Sequence, residues 1–291
     1  MKLRPIDADD TDLAADLLAA GFPTRSRDMW LTSLLKLVAH GETMPGRPVG
    51  QFLIAGDKPV GICLTIPATR TAFDEEPHLA VNIACFYLEQ AHQWQATLAM
   101  RRLVADGAVE YTDLTASPTM RQINLKNGFT NLSEGSVLIP LPVAALLPSR
   151  RARFVPLKAI PPLRLSDAHT DLLTGHAELG CICGAVEIDT SLSPVIFAPT
   201  RRRGAPGARL ILARDKTLIR DALGPIARHL LRYRLAFLEF EAQSSAGFPG
   251  AIFRRDVAPY QSTRNEPSDV VDHTFSELVF FQPFVARRLM E

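Results

Sequence analysis

Residues 80–103 read AVNIACFYLEQAHQWQATLAMRRL. The apolar run 80–88 has the continuity of a buried strand. A polar turn follows it, and Ala96, Ala99, Met100, Leu103 and Val104 then recur at helical spacing. A strand, a turn and a helix in that order aim several backbone N–H groups at one point, which suits an anion. Loops of this kind usually carry glycine so that the backbone can approach a phosphate. No glycine lies between Tyr87 and Asp106.

The unit sits in a repeat. LRPIDADDTDL begins at Leu3 and LRLSDAHTDLL at Leu163. Both read Leu-Arg-x-x-Asp-Ala and then Thr-Asp-Leu, with one residue of difference in spacing. IPATR, ending at Arg70, answers FAPTR, ending at Arg201. A helix-period segment from Leu98 leads into YTDLTA at Tyr111, and one from Gly224 leads into FLEFEA at Phe237. Three matches in the same order imply two related domains, 1–147 and 163–291. The tract between them, 148–162, reads PSRRARFVPLKAIPP and is expected to be an exposed linker.

Each half is expected to be α/β. Asp9 to Asp12 supply caps for a helix bearing Leu13, Leu17 and Leu18, and a second amphipathic stretch carries Trp30, Leu34, Leu35 and Val38. QFLIAG and VGICLTIPA flank Asp57-Lys58-Pro59, a hairpin signal. A short helix over 118–126 stops at Asn127-Gly128. In the second half Pro225 suits the first turn of a helix. DHTFSELVFF, from Asp272, alternates as a final buried strand would.

Composition sets limits. The chain has 291 residues, 47% hydrophobic and 22% charged, and its 32 basic against 31 acidic residues give a net charge of +1. That balance argues against a general electrostatic hold on nucleic acid. Local clusters (Arg150, Arg151 and Arg153; Arg201 to Arg203) read as solvated loops. Cys63 and Cys85 lie in apolar runs as buried thiols. Cys181 and Cys183 lack further ligands at metal-site spacing, so no metal is expected. The first residues, MKLRPIDADD, turn acidic at once and do not resemble a signal peptide. The apolar tract 137–147 holds two prolines and is far shorter than the ~20 residues of a membrane helix. A reduced, cytoplasmic setting without membrane contact is expected.

The order of elements, ending in a short helix and Gly128-Phe129, resembles the GNAT superfamily of acyl-CoA-dependent acyltransferases. The resemblance implies two tandem domains, each a mixed, mostly antiparallel sheet flanked by helices. Relatives hold the coenzyme A pyrophosphate in a (Gln/Arg)-x-x-Gly-x-(Gly/Ala) loop. Here it aligns with Ala91-His92-Gln93-Trp94-Gln95-Ala96, so alanine and tryptophan replace the first and fourth positions. The implied binding residues for acetyl-CoA or another acyl-CoA are Leu88, Gln93, Trp94, Gln95, Ala96 and Thr97. The family's tyrosine, four residues before the Gly-Phe pair, is Asn124, which has no titratable proton. Tyr87 and Tyr111 are substitutes for that acid. Glu89 is the first candidate for the base, Asp113 the second, and His92 an alternative. In the second half Arg220 and Gly224 remain as phosphate contacts. Phe275-Ser276-Glu277 resembles the Tyr-Thr-Glu endings of tandem bacterial acyltransferases.

Three functions follow from the resemblance. The first is transfer of an acetyl or short acyl group to an amine or hydroxyl. The second is a catalytically silent tandem protein that binds a ligand or partner. The third, transfer from a charged RNA, is opposed by the near-zero net charge. Expected partners are a small-molecule acyl donor and its acceptor, with no nucleic acid, and a homodimer is allowed for.

Overall fold

The computed structural model describes residues 1–70, 73, 77–149, 151–245, 247–264 and 269–286; Arg150 of the first basic cluster lies outside them. The first half runs β1 (Lys2–Pro5), α1 (Thr11–Gly21), α2 (Arg27–Glu42), β2 (Gly50–Ala55), β3 (Lys58–Arg70), β4 (His78–Leu88), α3 (Ala96–Leu103), β5 (Glu110–Asp113), α4 (Pro118–Leu125), β6 (Thr130–Asn131), β7 (Gly135–Pro140) and α5 (Leu141–Ala144). The second runs β8 (Ala152–Pro156), α6 (Asp167–Glu178), β9 (Ile182–Ile188), β10 (Ser191–Arg202), β11 (Ala205–Ala213), α7 (Lys216–Asp221), α8 (Leu223–Leu231), β12 (Phe237–Ala242), β13 (Ile252–Arg254), β14 (Gln261–Ser262), β15 (Val271–Asp272) and α9 (Glu277–Phe280).

Local chemistry sets the boundaries. Ser26, Ser117 and Ser166 each accept a backbone N–H three residues on, capping α2, α4 and α6. Pro118 opens α4, and Gly128 follows it at φ +89°, a conformation that a side chain would strain. Pro225 lies in the first turn of α8, where its missing N–H does no harm. Along β3 the side chains alternate between faces. Ile62, Leu64 and Ile66 pack with Leu18, Trp30 and Leu34 of α1 and α2, whereas Cys63 packs with Met100 and Met120 of α3 and α4. The first sheet is thus covered on both faces. No described helix is long and apolar enough to cross a membrane.

The sheets order as β1-β2-β3-β4-β5-β14-β6 and β13-β7-β12-β11-β10-β9-β8, with β15 on β11. Among the described residues only β4–β5 and β11–β12 are parallel. The two halves exchange a strand. β14 enters the first sheet, where Gln261 faces Asp113 on one side and Asn131 on the other. β7 enters the second sheet between β12 and β13. The tract 148–162 includes β8, which pairs with β9 at the edge of the second sheet.

The repeat marks helix starts rather than strands. Leu3 and Arg4 lie in β1, but Leu163 and Arg164 lie in a turn after β8, ahead of α6. The expected final strand at DHTFSELVFF is corrected. β15 ends at Asp272, whose Oδ1 accepts the Thr274 N–H at 3.1 Å and hydroxyl at 2.6 Å. That turn, with Phe275 at φ +48°, breaks the strand, and the rest forms α9, still buried.

Because each sheet borrows a strand from the other half, the chain is expected to melt in one cooperative transition. Calorimetry resolving two independent transitions would contradict the exchange. Gln261→Ala removes a buried hydrogen bond to Asn124 and a partly buried one to Asn131, and is expected to lower stability by about 1–3 kcal/mol.

Candidate functional site

β4 and β5 pair only from Ala80 to Asn82 and from Glu110 to Thr112; beyond these residues the strands part. Asn82, 1% exposed, stands at the fork. Its Nδ2 donates to the Thr112 carbonyl and hydroxyl, each at 3.2 Å, and its Oδ1 accepts the Glu277 N–H at 2.8 Å. Past the fork, Cys85 and Phe86 oppose the single residue Cys63, a β-bulge with Cys85 at φ +53°. Bulges re-aim side chains and gather beside functional sites.

A cavity of about 430 Å³ fills the fork. Arg25, Cys85, Asp113, Ser117, Arg201 and Glu277 are among its walls, so both halves contribute. Two buried carboxylates define its chemistry. Glu277, 4% exposed, accepts the Leu114 N–H at 3.1 Å and the Thr115 hydroxyl at 2.8 Å. Asp113, 5% exposed, accepts the Asn124 amide at 2.8 Å. Burial pushes both acids above the ordinary carboxylate range, and the charge of Asp113 raises Glu277 further. Two buried like charges on one cavity wall cannot both ionise cheaply, so the ionisation of one acid holds the other protonated.

The segment carrying Glu277 is tied down along its length. Arg70 pairs with Asp272 at 2.8 Å, both nearly buried. Phe275 lies between the rings of His40 and His176, with centroids 4.6 and 4.3 Å away. His176 Nδ1 bonds the Leu172 carbonyl at 2.8 Å, and its Nε2 accepts the Phe275 N–H at 3.1 Å, a neutral tautomer. Burial holds that imidazole down at about 4.

The second half has an equivalent fork, and the chain itself partly fills it. β11 and β12 pair only up to Arg209 and Glu239. β11 carries one extra residue, Ile211, between its pairings to Ile196 and Phe197. β15 then pairs with Leu212 and Ala213, and the His273 N–H bonds the Ile211 carbonyl at 2.8 Å. A smaller cavity of about 240 Å³, lined by Arg209, Glu239, Glu241 and Tyr260, remains beside this second fork, and the larger one lies at the first.

The residues expected from sequence are divided. Leu88 is buried at the end of β4, and Glu89 is exposed. The polar turn is a 3-10 helix, Gln90–Gln95, in which His92 N–H bonds the Glu89 carbonyl at 2.8 Å and Ala96 N–H bonds the Gln93 carbonyl. Gln93 is exposed, Trp94 is 80% exposed, Gln95 and Thr97 are half-buried, and Ala96 packs with Leu53, Val60 and Leu88. None of 88–97 lines the 430 Å³ cavity. Tyr87 packs toward α1, its ring in the space that a Cβ on Gly21 would take. Asn124, wholly buried, donates to Asp113 and to Gln261 at 3.0 Å. It thus positions a carboxylate. Tyr111 is buried with Met100 and Leu103. Cys181 and Cys183 are buried free thiols, both pushed up by burial. Arg220 bonds its neighbour Asp221 at 3.1 Å, and Gly224 abuts the Leu147 carbonyl. Asp113 was visible as a second-rank base. Glu277 was marked only by a likeness of Phe275-Ser276-Glu277, since its partner Leu114 is 163 residues away.

Glu277→Gln tests the burial of this acid. A carboxyl raised by folding contributes stability that is full below its ordinary value, ~4, and lost as pH rises through the raised value. The substituted amide stays neutral. The thermal midpoint of the variant relative to wild type is therefore expected to climb with pH across that window. A pH-independent difference would contradict the weakened acidity of Glu277.

No protein-family model and no curated protein sequence matches the chain. Its structure is similar to the GCN5-related N-acetyltransferase from Anabaena variabilis ATCC 29413, at TM-score 0.55 and 12% identity, over 90% of this chain and 72% of that one. It is similar to the GCN5-related N-acetyltransferase from Kribbella flavida at TM-score 0.50 and 12% identity, over 90% and 70%. With the forked parallel pair and the bulge on its first strand, the chain has the fold of the GNAT superfamily, in two tandem domains.

Proposed function

We propose that the protein transfers an acyl group from an acyl-CoA to an amine or hydroxyl acceptor, in the first fork. The observation that carries this reading is the buried Asp113–Glu277 pair on the wall of a cavity between parting parallel strands. The GNAT fold and the acetyltransferase names of its structural neighbours support it.

In the proposed reaction the ionised member of the pair takes the proton from the acceptor nitrogen or oxygen. The acceptor lone pair forms a bond to the thioester carbonyl carbon, the C–S bond breaks, and the thiolate departs with its electron pair. The protonated member of the pair supplies the proton that the thiolate takes up. One proton enters the pair and one leaves, so the pair is restored by internal transfer. Asn124, where relatives carry a tyrosine, acts by holding Asp113. The turn 90–95 and Leu88, Ala96 and Thr97 are the proposed seat of the coenzyme A phosphates, with Gln93 and Gln95 as side-chain donors. Glu89, His92 and Tyr87 lie outside the cavity, and the acid–base roles pass to Asp113 and Glu277.

A second reading, a silent ligand-binding protein, is favoured by one observation. The amides of His92 and Ala96 are already spent inside the 3-10 turn, which leaves fewer donors for a phosphate.

Acyl transfer to a panel of amines and alcohols is expected to give a bell-shaped pH profile, since one acid must be ionised and its neighbour protonated. Its acid limb should lie above the ordinary carboxylate value of ~4. Asp113→Asn and Glu277→Gln are each expected to lower kcat/KM by ~10²-fold or more, while Glu89→Gln leaves it unchanged. A thermal midpoint raised by acetyl-CoA without any turnover would select the silent protein.

A further inference from the structure

The cavity holds more positive charge than its carboxylates answer. Of its three arginines, Arg209 is committed to Glu239 at 2.7 Å through Nε and 2.5 Å through Nη2. Arg201 donates to the Gly204 carbonyl at 3.0 Å and sits over the Phe284 ring. Arg25, in the turn between α1 and α2, donates through Nη2 to the Phe281 carbonyl and lies 5.2 Å from the Trp30 ring centroid. Among the described residues neither Arg25 nor Arg201 makes an ion pair. Arg201 is exposed, so water answers its charge. Arg25 is half-buried, and its charge is met by the Phe281 carbonyl and the Trp30 and Phe281 rings, with no carboxylate partner among the described residues.

Arg25 stands at the reacting end of the cavity. Burial works against its charge and Glu277 acts in its favour, and it belongs to the same wall as the carboxylate pair. The proposed phosphate seat, 90–95, lies outside that wall. Nε and Nη1 of Arg25 carry no bond to a described residue, and a guanidinium edge matches a carboxylate in two parallel hydrogen bonds. Arg25 and Glu277 line the same cavity without pairing to each other, and a molecule bound there with its amine toward the acids would turn its anion toward the guanidinium.

Building on the acyl-transfer reading, we propose that the acceptor is a small amine carrying its own carboxylate, of the amino-acid class, and that Arg25 binds this carboxylate. The acids take the proton from the amine, and Arg25 fixes the other end. A substrate carrying only an amine leaves the guanidinium unanswered and loses that anchor.

The test compares L-amino acids with their carboxamides, using acetyl-CoA as donor and the full chain. Wild type is expected to prefer the acids by at least ~10-fold in kcat/KM, the scale of one charge-assisted hydrogen bond. Arg25→Gln should raise the acceptor KM by at least ~10-fold while leaving the donor KM unchanged, and Arg25→Lys should fall between. Carboxamides turned over as well as acids by wild type would overturn the proposal, as would an Arg25→Gln defect confined to the donor KM, which marks a phosphate contact. If no acceptor is turned over, the acyl-transfer reading fails by itself. Saturation-transfer NMR with the same compounds then decides the carboxylate site. Amino acids binding wild type and not Arg25→Gln support it, and no binding to either overturns it. Should Arg25→Gln fail to fold, the comparison of acids with carboxamides on wild type decides the proposal alone: a preference for the acids supports it, and equal turnover or binding overturns it.

Discussion

One buried amide joins three distant pieces of chain. Asn82 donates to Thr112 on the parallel strand and accepts from the backbone of Glu277 near the end of the chain. A half-satisfied amide at 1% exposure would cost more than the bonds return, so the three pieces stand or fall together. From that point β4 and β5 part, the cavity opens, and the Glu277 side chain is delivered to Leu114 and Thr115. The candidate site is thus built from both halves, with one acid contributed by each.

The strand exchange gives the second half a structural role although its own fork is partly filled by the chain. β15 and His273 occupy that fork by pairing with β11. The same segment, two residues further on, provides Phe275 and then Glu277. A helper domain that spends its own cleft to brace a residue in its neighbour's cleft needs to be rigid relative to it. Gln261 between β5 and β6, and Arg70 paired with Asp272, supply that rigidity by buried polar contacts that specify one arrangement.

Much of the fold was legible because its signals are local. The hairpin at Asp57, the capped helix from Pro118 and the strand–turn–helix unit from Ala80 depend on residues close in sequence. The exchange was not legible. β14 has two residues, too few for a periodic pattern, and its place is set by side-chain bonds from Gln261 to Asn124 and Asn131. The end of the chain misled for a related reason. The alternation in DHTFSELVFF fits burial in either a strand or a short helix, and the Asp272 turn that selects the helix is a tertiary choice, made with Arg70. Within the site Asp113 could be found beside the strand end. Glu277 could not be ranked, because a glutamate in an apolar tail acquires chemistry only through the fork it reaches.

A crystal of the protein with coenzyme A tests this arrangement most directly. The thiol is expected in the 430 Å³ cavity beside Asp113 and Glu277, with the pantetheine arm leading out along the free edge of β4 toward the turn 90–95. Coenzyme A bound elsewhere on the chain, or no bound coenzyme A at saturating concentration, would contradict the assignment of the first fork as the site of acyl transfer.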